Sequence, residues 1–338
     1  MTDIQPIPGI PALGVGDTLV IGDLHIGVEA HLHSKGIHLT SRTKEMEKMV
    51  DRCGDSFGRI VLLGDIKDSV PGSNKQEYRE IPVFCDHLLE RFREVCVVRG
   101  NHDTMIEEFL PAAVRIRPAT GMKIGDTGLV HGHTWPSADV MGCETLVLGH
   151  EHPHVLFKDK VGSYIPEPCW LRGRFRDAME GDRYDRLPSS FIVMPAFNPL
   201  LGGSPVNEKG TPMLGPVLSS DLVDLDGASV YLLDGICLGR RADLMVSDTR
   251  PRMHGRRRIA VRPHPQIYSR PIVVLTGKHM SFKIPTIHVF SKQALGGLHK
   301  REGKWLDGPD WKCPGAMSIW MLPRSNIWVD SVKTNFGT

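Results

Sequence analysis

No apolar run in this chain of 338 residues is long enough to span a bilayer, and its first residues lack the basic-then-apolar pattern of an export signal. Both absences argue against a membrane or secreted protein, so a cytoplasmic location with no membrane partner is the expectation. Cysteine is sparse as well. Seven residues, an odd number with no Cys-x-x-Cys pair, argue against a disulfide framework and against a thiolate zinc site. Acid is scarce at one end only: residues 245–338 hold 5 Asp+Glu against 16 Lys+Arg, which leaves 25 basic and 34 acidic residues in the first 244. A change of charge sign between two segments marks regions with different tasks. The expected domains are therefore 1–244 and a basic C-terminal extension, 245–338. For the extension three readings stand: an arm for nucleic acid, a small extra domain, or sequence with no selected fold, towards which its abrupt change of composition leans.

Within the first 244 residues, β-rich runs repeatedly end in Gly, Asp, Asn or His: TLVIGDLH (18–25), RIVLLGDIKD (59–68), EVCVVRGNHD (94–103), TGLVHGH (127–133) and TLVLGHEH (145–152). Near-continuous Val, Ile and Leu fit strands buried on both faces. Helical spacing lies between the early runs, where Met46, Met49, Val50 and Cys53 share one face and Ile81, Phe84, Leu88 and Phe92 another. SSFIVMPAF (189–197) and ASVYLLDG (228–235) read as strands without intervening helices, so the expected architecture is a layered α/β fold with mixed sheets.

In such folds the carboxyl ends of strands carry the chemistry. Asp23 and His25, Asp65, Asn101 and His102, His131, and His150 with His152 all fall at the ends of these runs. The alternation of His150, His152 and His154 would put three rings on one face of an extended strand, as a metal site, a pH-sensitive surface or an accident. Four other strand ends bringing further donors favour the metal site for the first two. Carboxylate, amide and imidazole donors suit divalent ions of borderline hardness such as Mn²⁺, Fe²⁺ or Zn²⁺. Seven donors are too many for one ion and fit two sharing a carboxylate, and two ions about 3.5–4 Å apart suit in-line displacement at phosphorus. Glycines before Asp23, Asp65, Asn101 and His150 are expected to let the backbone turn away from each strand. His133 reads as lining the cleft or orienting a neighbour, His154 as lying on a wet loop, and His31, His33 and His38 as surface residues.

These motifs, DLH (23–25), GDIKD (64–68), GNHD (100–103), HG (131–132) and GHEH (149–152), resemble in identity and order the signature of the calcineurin-like metallophosphoesterases. The resemblance, over roughly residues 15–240, implies a four-layer sandwich of two mixed β-sheets flanked by helices. It implies Asp23, His25 and His152 on one metal, Asn101, His131 and His150 on the other, and Asp65 bridging both. It further implies attack by a metal-bridging hydroxide, His102 as general acid at the leaving oxygen, and Asp103 holding the His102 ring in its useful tautomer. Stretches such as FNPLLGGSPVN resemble archaeal phosphoesterases related to the SbcD nuclease, which implies an archaeal source and a part in DNA processing; DNA or RNA is the expected substrate and a DNA-processing protein the expected partner. That subgroup would have a histidine where this chain has Asp68, so the role of Asp68 is left open. The function expected is a two-metal phosphodiesterase or nuclease. A phosphodiesterase or phosphatase for small nucleotides, or a non-catalytic nucleic-acid-binding partner, are the alternatives.

Overall fold

A computed structural model of the chain describes residues 2–159, 162–180 and 182–246. All but the first two residues of the basic extension lie outside them, and so do the three readings of it.

Two sheets face each other. The first runs in chain order as β1 (Ile4–Pro6), β2 (Leu13–Val15), β3 (Thr18–Ile21), β4 (Arg59–Leu62), β5 (Glu94–Val98) and β6 (Arg115–Arg117), with the last four strands parallel. The second is built from β7 (Met122–Ile124), β8 (Thr127–Val130), β9 (Thr145–Leu148), β10 (Pro153–Lys158), β11 (Tyr164–Phe175), β12 (Ser190–Val193), β13 (Ser204–Pro205), β14 (Val223–Leu232) and β15 (Cys237–Arg240). Here β8, β9 and β12 are parallel, while the long β11 pairs antiparallel with β10 through its first half and with β12 and β14 through its second.

The strand runs are continuously apolar because each strand feeds two cores. Leu19 and Ile21, Ile60 and Leu62, and Val95 and Val97 face the helices of the first sheet. Their alternates Val20, Val61, Leu63, Cys96 and Val98 point inward and meet Leu129, Val147, Trp170, Ile192 and Met194 of the second sheet. The outer face of the second sheet carries Val130, Leu146, Leu148, Leu171, Phe191 and Val193. A period of two residues thus divides these central strands between adjacent layers.

On the first sheet lie α1 (Val28–Ser34), α2 (Thr43–Asp51) and α3 (Lys75–Arg91). Ile81, Phe84 and Leu88 of α3 are completely buried, as their spacing predicts, and each contributes about 1.5–3 kcal/mol by leaving water. The helix starts at Asn74, whose side chain accepts from the backbone N–H groups of Gln76 and Glu77 while Glu77 accepts from the backbone N–H of Asn74. The outer layer over the second sheet is thinner than the expected flank of helices. It holds the one-turn α4 (Ala138–Met141) and the turns that supply Val206, Val217, Leu218 and Leu222. Those turns bury side chains without needing helical periodicity. Among the described residues no helix is long and apolar enough to cross a membrane.

Candidate metal centre

The expected donors stand where parallel strands end: Asp23 and His25 after β3, Asp65 after β4, Asn101 after β5, His131 after β8, and His150 and His152 after β9. The backbone there is unusual. Among the described residues six non-glycine residues have positive φ, and five of them are Asp23 (56°), His25 (40°), Asp65 (52°), His150 (68°) and His152 (45°). Left-handed backbone at such residues costs about 1–3 kcal/mol each and persists only where surroundings over-determine it.

This corrects the expected role of the preceding glycines. Only Gly64 has a positive φ among Gly22, Gly64, Gly100 and Gly149, so the turns are made mainly by the ligand residues themselves. The glycines are needed because other segments pass against them. A Cβ on Gly100 would collide with the backbone N and Oδ1 of Asp65, and one on Gly149 would stand 3.0 Å from Asp23 Oδ2.

The strand ends converge into two groups of donors, with a third set branching from the first. Asp23, His25 and His152 bring one ligand atom each within 4.8 Å of one another, as do Asp65, His131 and His150, and as do His25, Asp68 and His102. His152 Nε2 is 3.0 Å from Asp23 Oδ1. Asp65 Oδ2 lies between the groups, 3.4 Å from His25 Nε2 and 3.3 Å from His131 Nε2. Asn101 Oδ1 joins the second group, 3.2 Å from the same His131 nitrogen. The remaining nitrogen of His131, Nδ1, donates to the Leu63 carbonyl at 2.9 Å, which turns Nε2 into the site. Asp65 Oδ2, both ring nitrogens of His25, His150 Nδ1 and His152 Nε2 are buried with no partner in hydrogen-bond geometry. Buried polar atoms are almost always satisfied, so a convergent set of unsatisfied O and N donors fits divalent cations.

The charges agree with that fit. Burial pushes the His150 ring down to about 3 and His133 down to about 4, in both cases aided by His131, so both rings keep free lone pairs. Burial also opposes protonation of His25 and His131. Asp65 and Asp68 outweigh it at His25, lifting it to about 10, and Asp65 and Asp23 lift His131 to about 9. Buried carboxylates draw countercharge from these rings. Cation binding would therefore displace protons from His25 and His131.

His102 is buried beside this cluster, its ring centroid 4.7 Å from that of His25. The tautomer expectation is corrected here. His102 Nδ1 is 2.5 Å from the backbone carbonyl of Asp68, and because a carbonyl only accepts, Nδ1 carries the proton. Asp103 instead accepts from the backbone N–H groups of Gly100 (2.7 Å), Ile66 (2.8 Å) and Asp65 (2.9 Å), tying the Gly-Asn and Gly-Asp turns together. Asp68 gains a role: its carboxylate Oδ1 is 3.3 Å from His25 Nδ1 while its carbonyl orients His102.

His133 stands 5.3 Å from His131 and 6.1 Å from His150, ring to ring, and borders the centre as expected. His154 does not lie on a wet loop. It is buried in β10, with Nδ1 donating to the His152 carbonyl at 2.8 Å. The His150–His154 rhythm is no strand face either, because the left-handed backbone at His150 and His152 redirects each ring. His31, His33 and His38 are exposed, as expected. Three supporting residues escaped the sequence reading. Glu151 is pushed up to about 7 by burial, Lys67 is wholly buried with Nζ donating to the carbonyls of Ser69 and Gly72, and Asn198 is buried against the first ligand turn. A polar residue directly after an apolar strand run was the available signal for Asn198. Glu151 and Lys67 gave none beyond lying inside motifs.

Residues 17–178 match the family model described as calcineurin-like phosphoesterase. Among solved structures, the chain is similar to a nuclease, MPE, from Pseudomonas putida (16% identity, TM-score 0.42, covering 68% of this chain and 95% of that one). It is also similar to Yfce, a phosphoesterase from E. coli (18% identity, TM-score 0.31, 66% and 97%), and to a metallophosphoesterase from Sphaerobacter thermophilus (14% identity, TM-score 0.27, 67% and 90%). No curated protein matches the chain.

Proposed function

We propose that this chain, whose residues 17–178 match the family model of calcineurin-like phosphoesterases, is a metal-dependent phosphoric ester hydrolase, a two-metal phosphodiesterase acting on nucleic acid. The observation that carries the reading is Asp65 Oδ2, buried, without a hydrogen-bond partner, and within 3.4 Å of a histidine of each donor group. A carboxylate so placed would serve two ions at once. Asp23, His25 and His152 would hold one, Asn101, His131 and His150 the other. Mn²⁺ suits this mixture of oxygen and imidazole donors, with Fe²⁺ and Zn²⁺ close behind. When bound, the pair supplies activated water at neutral pH and positive charge for the phosphoryl oxygens.

The protein's own groups complete the chemistry. With Nδ1–H held by the Asp68 carbonyl, the proton that His102 exchanges sits on Nε2, and from there it passes to the leaving oxygen. His133, neutral and beside His131, borders the space where substrate enters. No serine or cysteine nucleophile is needed; Cys53, Cys85, Cys96, Cys143 and Cys169 are all buried thiols. The resemblance of FNPLLGGSPVN to phosphoesterases related to a DNA nuclease supports a nucleic-acid substrate, and the basic composition of residues 245–338 agrees with it.

The test is hydrolysis of a generic aryl phosphodiester by purified protein with Mn²⁺, followed by single- and double-stranded DNA. Cleavage of both supports the proposal. Turnover of small diesters with DNA left intact would favour the small-nucleotide enzyme, and a protein that binds DNA but hydrolyses neither would sink the catalytic reading.

A further inference from the structure

We propose that residues 197–215 form a strap that positions the Asp23, His25 and His152 site, with Asn198 as its positioning residue. The inference rests on the two-ion reading above and adds to it a group that touches no ion.

Asp23 and His25 both have left-handed backbone, and Leu24 lies between them. Two unfavourable conformations flanking one residue relax unless that residue is pinned. The Leu24 N–H is held by the Asp65 carbonyl at 3.0 Å, and Asn198 supplies the pin on the carbonyl side. Its Nδ2 donates to the Leu24 carbonyl at 2.8 Å, its Oδ1 accepts from the Leu200 N–H at 3.0 Å, and the whole residue is buried. The neighbouring backbone reinforces it, since Phe197 N–H donates to the Gly22 carbonyl at 2.9 Å and Asn198 N–H to that of Asp23 at 3.4 Å. One amide thus locks the ligand turn to the end of β12 and to the start of the strap. Only a side chain with both a donor and an acceptor can make both bonds.

Further along, the strap reaches the third ligand of the same group. The Gly202 carbonyl accepts from His152 Nδ1 at 3.4 Å, which directs Nε2 towards Asp23. Gly203 passes so close that a Cβ there would collide with the His152 carbonyl and the His154 ring. Ser204 and Pro205 pair in parallel with Pro153 and His154, and Leu214 N–H donates to the buried Glu151 carboxylate at 2.6 Å. The other donor group is fixed differently. The Leu63 carbonyl orients His131, and Asp103 ties the turns of Asp65 and Asn101. Selective dependence of one ion on the strap follows from that division.

Removal of a partner that orients a metal ligand costs about 10–100-fold in metal affinity. Titration of the metal-free, full-length protein with Mn²⁺, read by calorimetry and by the exchange-coupled electron paramagnetic resonance signal of paired ions, tests the proposal. Wild type should bind two ions. Asn198→Ala should weaken one by about 10–100-fold, keep the other near its wild-type affinity, and replace the coupled signal by that of an isolated ion at low metal. Should Asn198→Ala fail to fold, the near-isosteric Asn198→Asp carries the same expectation, because it retains the acceptor for Leu200 but cannot donate to Leu24. Unchanged affinity for both ions, or equal weakening of both, would overturn the positioning role while leaving the two-ion reading intact. A wild-type protein that takes up a single ion would overturn that reading, and this inference with it.

Discussion

Substitution of Asp103 separates a scaffold from a catalytic partner. Its carboxylate is buried and accepts from three backbone N–H groups, those of Gly100, Asp65 and Ile66. Asp103→Ala takes the acceptor from three backbone donors, those of Asp65 and Ile66 buried and that of Gly100 part-buried, at up to about 1–3 kcal/mol each. The sum, up to about 3–9 kcal/mol, rivals the whole stability of a typical domain, about 5–15 kcal/mol. The variant should therefore fold poorly or not at all. Asp103→Asn is gentler. An amide oxygen in place of Oδ2 keeps the bonds from Gly100 and Asp65, while the amide nitrogen faces the Ile66 N–H. One bond is lost, at about 1–3 kcal/mol. Burial and the nearby Asp65 charge already raise the Asp103 carboxyl above its ordinary pKa, so neutralising it offsets part of that loss. Urea unfolding of the metal-free proteins measures both variants, and hydrolysis of esters with good and poor leaving groups measures any effect on His102. An Asp103→Ala protein within about 1 kcal/mol of wild type, yet slow only on poor leaving groups, would refute the scaffold argument and restore the carboxylate as partner of His102.

Asp65→Asn should abolish turnover and weaken both ions, whereas Asp23→Asn should mainly weaken one; elemental analysis distinguishes them, and an Asp65 variant holding two ions at full occupancy would remove the bridging role. His102→Ala should slow cleavage by about 10²–10⁴ when the leaving group is a poor alkoxide and much less with nitrophenolate, with metal content unchanged; equal losses on both would mean that His102 positions substrate instead. Gly100→Ala should displace the Asp65 turn, because its Cβ would overlap the backbone N and Oδ1 of that residue, and should lower metal content as well as stability; a variant with normal metal content would show that the turn yields without cost. Val246 N–H donates to the Asn207 carbonyl at 2.7 Å, and every proposed ligand precedes residue 153. A chain cut after Val246 should thus retain two ions and hydrolyse a small aryl diester normally. If residues 247–338 grip duplex DNA, the cut should flatten the dependence of log affinity on log salt by about 0.9 per lost phosphate contact, while a metal-free truncation would show that the remainder completes the site.

Local pattern carried much of this protein. The runs at 18–21, 59–62, 94–98, 145–148 and 190–193 are strands because β-branched and aliphatic residues on both faces can only be buried between layers, and the helical faces of Met46–Val50 and Ile81–Leu88 pack where their spacing directs. The candidate donors were legible for a related reason. Polar residues that interrupt such runs at their carboxyl ends leave the sheet at its edge, and parallel strands place those edges side by side. Chemistry at a strand end needs no knowledge of which strands are neighbours.

What depended on neighbours was decided by the tertiary structure alone. Gly100 is required by Asp65, 35 residues away in sequence, and Asn198 serves a turn at Leu24, at a separation of 174. Asp103 adjoins His102 in the chain yet spends its carboxylate on the backbone of Gly100, Asp65 and Ile66. His154 shares the rhythm of His150 and His152 but enters β10 and is buried, because left-handed backbone at those two residues breaks the strand periodicity that the spacing implied. Composition and period constrain which faces a segment must bury. They are silent on which distant backbone will stand against it, and the rings of His131 and His152 are oriented by carbonyls of that kind, those of Leu63 and Gly202.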